Sequence, residues 1–389
     1  MSLSKNLRIY AATHEGLFTL DGEGKPSGEG GPSFPGAIVD CIKVQRATPT
    51  TLFAGIAHGG LHRSRDAGKS WEKRLEGDIR AVLVDPSDDR VVYVGTEPVH
   101  LYRSEDGGES FEEIASLQRL PDDTRRKLGL PPEPKGARDL DNPRFRHGRQ
   151  EWTGPIPPYE GHITEIFVRP DKPDEIYLSI EHGGIAVSFD RGQSWEDASE
   201  GIDYLDIHKV VRLRGTANRY LASTSRGFYA TDDLSKAWAR AEQGVERDYF
   251  HELLMLPSAP GSEVAPLLVC CAEGSPGNWP ATRQTLGQWT YGVKGARAAL
   301  YRSYDGARSW HRVGAGQGLP EEMAPMIWSL QRHPEDSQAL FAGIGEVGRG
   351  FAIGTAGKGS ITVSGDQGSS WRAIREDLPA VRQIAVVPA

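Results

Sequence analysis

The chain has 389 residues with 45 Lys+Arg against 53 Asp+Glu, a formal charge of −8. That balance argues against nucleic acid as a partner, because nothing in it neutralises a phosphate backbone. Apolar residues make up 38%, too many for a disordered chain, and no apolar run is long enough for a transmembrane helix.

Residues 7–13, LRIYAAT, read as the first strand, followed by the turn TLDGEG at 19–24. A conspicuous apolar run, IVDCIKVQR at 38–46, then leads into TLFAGIA (51–57) and SRDAGKSW (64–71). The pattern returns as IRAVLVDP (79–86), VVYVGT (91–96) and SEDGGESF (104–111). Residues 117–160 carry eight Pro and no alternating pattern, which predicts a long loop and no extra sheet, with one short helix near 122–128. The pattern resumes with ITEIFVRP (163–170), EIYLSIE (175–181) and SFDRGQSW (188–195), then IHKVVRLR (207–214), RYLAST (219–224) and TDDLSKAW (231–238). FHELLMLP (250–257) and PLLVCCA (266–272) precede an insertion at 273–296 and SYDGARSW (303–310). IWSLQRHP (327–334), ALFAGIG (339–345) and SGDQGSSW (364–371) make the next unit, and VRQIAVVP (381–388) closes the chain. Each unit is an inner strand, a second strand and a turn motif. The seventh inner strand falls at the far end, so it must join the sheet opened by 7–13.

The motif Ser-x-Asp-x-Gly-x-Ser-Trp resembles the Asp-box, or BNR, repeat. Four copies are clean, and Ala307 replaces the Gly in a fifth. The resemblance implies an all-β, seven-bladed propeller filling 1–389, with each box as the turn between the third and fourth strands of a blade. The boxes are read as structural, since an Asp in a tight turn accepts nearby backbone N–H groups. A calcium loop lacks the acidic spacing it would need.

On that fold the insertions at 117–160, 273–296 and 345–358 fall on the face away from the boxes. Aligning the seven inner strands puts Asp40, Arg80, Thr164, His208, His251, Trp328 and Arg382 at one position, expected to line the channel mouth. The neighbouring second-strand ends add His58, Glu97, Glu181, His182, Glu273 and Glu346, with Trp152 and Trp279 on covering loops. Asp40, Glu97, Glu181 and Glu273 are the candidate acids or bases. Arg80, His208, His251, Trp328, Arg382, His58, His182, Glu346, Trp152 and Trp279 are the candidate ligand contacts. No metal or cofactor is assigned, although His14, His58, His182, His208 and His251 would supply a metal site if one existed.

The family includes sialidases, other glycoside-active enzymes, sorting-receptor ectodomains and assembly factors. A sialidase would need three arginines, a Tyr/Glu pair and an acid Asp. Arg80, Arg226, Arg349 and Arg382 are available, but no Tyr/Glu pair stands out and the Arg-Ile-Pro string is missing. The chain is more similar to bacterial BNR-repeat proteins of glycosyl-hydrolase-like type, through its Trp152–Pro158 stretch and the EHGG turn at 181–184. The expectation is an anionic or sugar-like small-molecule or glycan ligand at the mouth. The alternatives are a non-catalytic propeller that binds a protein through 117–160, or a His/Glu metal-dependent enzyme. Three Cys, two of them adjacent, and an N-terminus without an apolar core suggest a reducing, cytoplasmic setting.

Overall fold

The computed structural model describes residues 6–27, 31–119, 161–213, 219–258, 262, 264–274, 283–285, 288–290, 295–346 and 357–389. The chain is all-β, and its sheets form a seven-bladed propeller. Blade 1 pairs Leu7–Thr13 with Gly16–Asp21 on one side and with Val381–Pro388 on the other. Blades 2 to 7 are four-stranded, with inner strands Val39–Val44, Asp78–Val84, His162–Arg169, Ile207–Arg212, Tyr249–Met255 and Met326–Arg332. Every neighbouring strand pair in them is antiparallel.

Closure is carried by the C-terminal strand. Leu7 faces Pro388 and Thr13 faces Val381, so both ends of the chain lie in one sheet and blade 1 has its inner strand only through that pairing. Within the 273–296 insertion, Arg283–Thr285 and Gln288–Thr290 pair as a short antiparallel hairpin. The helix expected near 122–128 and most of the 117–160 loop lie outside the described residues. A single 3-10 turn, Ala115–Arg119, precedes that loop.

The apolar core is divided into packets between neighbouring blades. Tyr10, Leu52 and Ile56 pack between blades 1 and 2, and Phe53, Ile79 and Val94 between blades 2 and 3. The series continues round to Leu7, Phe341 and Ile384, which join blade 7 to blade 1. Hydrophobic burial therefore holds each blade to its neighbours, and removing one blade's inner strand opens two packets.

The inner strands share one irregularity. Each is bulged at the aligned position, so that Asp40, Arg80, Thr164, His208, His251, Trp328 and Arg382 fall at the register shifts. The residue just before each bulge is fully buried: Val39, Ile79, Ile163, Ile207, Phe250, Ile327 and Val381 are all 0% exposed. Ile79, Ile163 and Val381 insert against Gly55, Gly95 and Gly343 of the preceding blade's second strand. A Cβ on Gly95 would come within 2.6 Å of Ile163, and one on Gly343 within 2.8 Å of Val381. Close approach here needs glycine, and the bulge lets the chain turn its next side chain out of the blade interface.

The turn motifs fold alike. Asp66 Oδ1 accepts from the Ser64 hydroxyl (2.8 Å) and from the Ser70 N–H (2.9 Å), and Oδ2 accepts from the Ser70 hydroxyl (2.6 Å). The same three bonds recur at Asp106, Asp190, Asp305 and Asp366. The worn copy has Ala237 where the others have the second Ser, and Asp233 instead accepts from the Ser235 N–H and hydroxyl and pairs with Lys236 at 3.4 Å. Trp195, Trp238, Trp310 and Trp371 are buried, and each indole N–H finds an oxygen acceptor.

Candidate functional site at the channel mouth

The bulged residues join neighbours into a chain of contacts that crosses the blades. Arg382 Nε lies 2.7 Å from Asp40 Oδ1, and Arg80 Nη1 donates to Asp40 Oδ2 at 3.0 Å. Arg80 also donates to Glu97 and lies 3.4 Å from Asp78. Glu97 in turn is 3.5 Å from His162 Nδ1, and His162 Nε2 is 3.0 Å from Glu181 Oε2. Glu181 Oε1 lies 3.6 Å from His182 Nε2. Asp206 Oδ1 lies 3.6 Å from His208 Nε2. The His208 ring packs 5.0 Å from His251, and His251 meets Trp328 edge-on at 4.9 Å. Trp328 donates its indole N–H to Gly345 O at 3.0 Å.

Charge is distributed unevenly along this chain. The arginines sit among Asp40, Asp78 and Glu97 on blades 1 to 3, while blades 4 to 6 supply imidazoles beside Glu181 and Asp206. Burial, helped by Arg382 at 3.1 Å, pushes His14 down to about 4, so it accepts from the guanidinium as a neutral ring. Burial opposes charging of His162, but the Glu181 carboxylate outweighs it and the pKa is raised. Glu181 is likewise opposed by burial, yet His162, His182 and His208 hold it well below the usual carboxylate range. Asp206 moves the other way, raised by burial and by Glu181. Burial and His208 keep His251 neutral.

The structure does not treat all the sequence positions alike. Asp40, Arg80, Glu97, Glu181, His182, His208, His251, Trp328 and Arg382 all take part in the cross-blade contacts above. His58 stands at its edge, largely exposed, with Nδ1 at 3.2 Å from Asp78. Glu273 and Glu346 are held elsewhere: Glu273 pairs with Arg297, which also holds Glu322, and Glu346 accepts from the Lys358 N–H at 3.2 Å. No hydrogen bond or ion pair ties either to the mouth among the described residues. Trp152, Trp279 and Arg349 lie outside the described residues. Arg226 stacks over the Tyr204 ring at 4.9 Å.

Three participants escaped the sequence alignment: Asp78, His162 and Asp206. Each lies two residues before a bulged position. Strand side chains alternate, so the residue two before the bulge shares its face, while the one between is buried. That period was available in the sequence; it names these three residues together with Ile38, Tyr249, Met326 and Ala380.

A second layer of side chains follows each bulge. Lys209 Nζ is 2.5 Å from Glu252 Oε1, and Gln383 Oε1 accepts from the Ile42 N–H at 2.8 Å. Ser329 accepts from the Ile384 N–H at 3.2 Å, and in blade 4 the bulged Thr164 itself donates across the boundary to Ile207 O at 2.7 Å. These bonds tie adjacent inner strands together across the blade boundaries.

No family model and no curated protein matches the chain. Solved structures do. A GH74 xyloglucanase from Xanthomonas campestris aligns over 96% of this chain and 53% of its own, with 16% identity and a TM-score of 0.59. The chain thus spans about half the length of that enzyme. A structure of YCF48 bound to a D1 peptide aligns over 87% of this chain and 81% of its own, with 14% identity and a TM-score of 0.51. At these identities the likeness is one of fold. Among the described residues no helix is long and apolar enough to cross a membrane.

Proposed function

We propose that the channel mouth binds a hydroxyl-rich, sugar-like small molecule, and that the chain is an Asp-box propeller of the glycosyl-hydrolase-like kind. One observation carries the reading. All seven inner strands bulge at one register, and the bulged residue is polar or aromatic in every blade, next to residues that are uniformly buried. A framework needs no such variety. A ligand with many differently directed hydroxyls does, and the imidazoles, carboxylates and guanidinium groups offer both donors and acceptors.

The arginines favour a neutral or weakly acidic ligand over a strong anion. Arg80 and Arg382 share Asp40, and Arg80 also holds Glu97, so much of their charge is met within the protein. Glycosidase chemistry needs two carboxyls about 5–10 Å apart across a bound sugar. Asp40 and Glu97, on either side of Arg80, are the pair to test for it. The GH74 enzyme among the similar structures is a xyloglucanase, which makes plant-type oligosaccharides a reasonable first panel.

The test is a thermal-shift and calorimetric screen of neutral and acidic oligosaccharides against wild type and Arg382→Gln. A sugar that raises the melting temperature of wild type and binds Arg382→Gln at least about tenfold more weakly supports the reading. If no sugar or organic anion binds, the reading fails, and a protein partner engaging the 117–160 segment becomes the working explanation.

A further inference from the structure

We propose that Glu181, His182 and Asp206 form a binding site for a divalent transition-metal ion. One ligand atom from each lies within 4.8 Å of the other two. An ion bound at about 2.1 Å to each would require separations of roughly 3–4.3 Å, so small side-chain rotations close the site. One imidazole and two carboxylates suit zinc or manganese.

The propeller supplies its own control for this site. Blades 2 and 4 carry the same turn after the second strand, Ala57-His58-Gly59-Gly60 and Glu181-His182-Gly183-Gly184. Both histidines have left-handed backbone, with φ of 56° at His58 and 59° at His182. Each is followed, in the next blade, by an acid two residues before the bulge: Asp78 and Asp206. The bulged residue then differs. In blade 3 it is Arg80, whose guanidinium stands 3.4 Å from Asp78 and supplies a fixed positive charge. In blade 5 it is His208, and Glu181 replaces Ala57, so the second site gains a carboxylate and loses the arginine. Among the described residues the ion-pair partners of Glu181 and Asp206 are imidazoles alone.

A second observation points to a cation as the ligand. Asp206 is 7% exposed, and its buried Oδ1 accepts no hydrogen bond; its ion-pair partner is His208 Nε2 at 3.6 Å, beyond hydrogen-bond distance. A buried carboxylate oxygen beside a second carboxylate is costly unless a positive charge meets it. Around the three residues the structure also has the supports that ordinary metal sites use. His162 holds Glu181 Oε2 at 3.0 Å, and His208 stands beside Asp206. From its left-handed backbone, His182 reaches to within 3.6 Å of Glu181 Oε1.

The inference does not depend on a sugar binding above the site, and its test reads the metal alone. Full-length protein stripped with a chelator would be titrated with Zn²⁺, Mn²⁺ and Ni²⁺ by calorimetry, and its melting followed with and without each ion. One equivalent of at least one ion should bind saturably and raise the melting temperature. Asp206→Asn and Glu181→Gln should each weaken that binding by about tenfold or more, while His311→Ala, on the exposed outer strand of blade 6, leaves it unchanged. Should the carboxylate variants fail to fold, His182→Asn carries the same test, because Asn tolerates left-handed backbone. Absence of saturable binding to wild type, or binding that any folded site variant leaves intact, overturns the proposal.

Discussion

At the outer turns, Asp66, Asp106, Asp190, Asp305 and Asp366 repeat both the residue and its three bonds, each within its own eight residues. At the mouth, the seven inner strands repeat only the backbone bulge. Their side chains differ and reach across blades, as Arg80 does to Asp40 and Arg382 does to His14. Repetition of side chain with local bonding is what a fold needs seven times over. Repetition of backbone with varied side chains gives one scaffold on which a single asymmetric site can be assembled. The turns should therefore act as independent units and the mouth as a coupled one.

The largest effect should come from the one strand that belongs to both descriptions. Deleting 381–389 removes Val381 and Ile384 from the core, takes away the partner of Leu7–Thr13, and deletes Arg382 from the mouth. The truncated chain should lose cooperative unfolding and elute as aggregate on size exclusion. A monomeric variant with a sharp melt would show that blade 1 does not need its C-terminal strand.

Coupling at the mouth is next in size. Asp40 is shared by two arginines that are themselves only partly exposed, so Asp40→Ala should cost about 2–3 kcal/mol in urea melts. Glu97→Ala removes another partner of the same Arg80. The double variant should depart from the sum of the singles by about 0.5 kcal/mol or more. Simple addition would break the claim that the mouth is one network.

The turns should behave in the opposite way. Asp190→Ala removes the acceptor of three short bonds, and stability should fall by about 1–2 kcal/mol, with ligand binding at the mouth intact. Combined with Asp66→Ala, the losses should add within about 0.5 kcal/mol, because the two turns share no partner. A non-additive pair would make the outer rim a network as well.

The same contrast explains what could be read from the sequence. The blades were legible because the turn is a contiguous string whose residues bond to one another, so Ser188, Asp190 and Ser194 announce their structure without any neighbour. The bulged position was also legible, since Asp40 or His208 interrupts an apolar run at a fixed place. The partners were harder. Asp206 and His162 precede their apolar runs and read as loop residues until the strand is extended back by one or two positions. Glu273 and Glu346 sit at the ends of second strands like Glu97 and Glu181. Their destinations are set by Arg297 and by the backbone of Lys358, both distant in sequence. Composition at a position says that a side chain is polar; which blade it leans toward depends on three-dimensional neighbours.

The smallest effect, and the one that tests the turns most directly, is the response to acid. Asp66 is held at about 2, first by the Ser70 hydroxyl, and Asp106 at about 2 by the Ser110 hydroxyl. Burial opposes ionisation of Asp305, but the hydrogen bonds from Ser309, Ser303 and the Arg308 N–H together outweigh it, and this carboxyl also sits at about 2. An unfolded Asp titrates near ~3.9. Between those values the unfolded chain binds more protons than the folded one, so acid favours unfolding. The contribution of these turns is complete above pH ~4 and is lost as pH falls toward ~2. Melting temperatures of wild type and Asp66→Asn should therefore differ most at neutral pH and converge across that window. The amide retains one acceptor for the Ser70 N–H but carries no charge to lose. A gap that stays constant down to pH ~2 would mean that the charge of Asp66 adds nothing to its hydrogen bonds, and that each turn is held by its geometry alone.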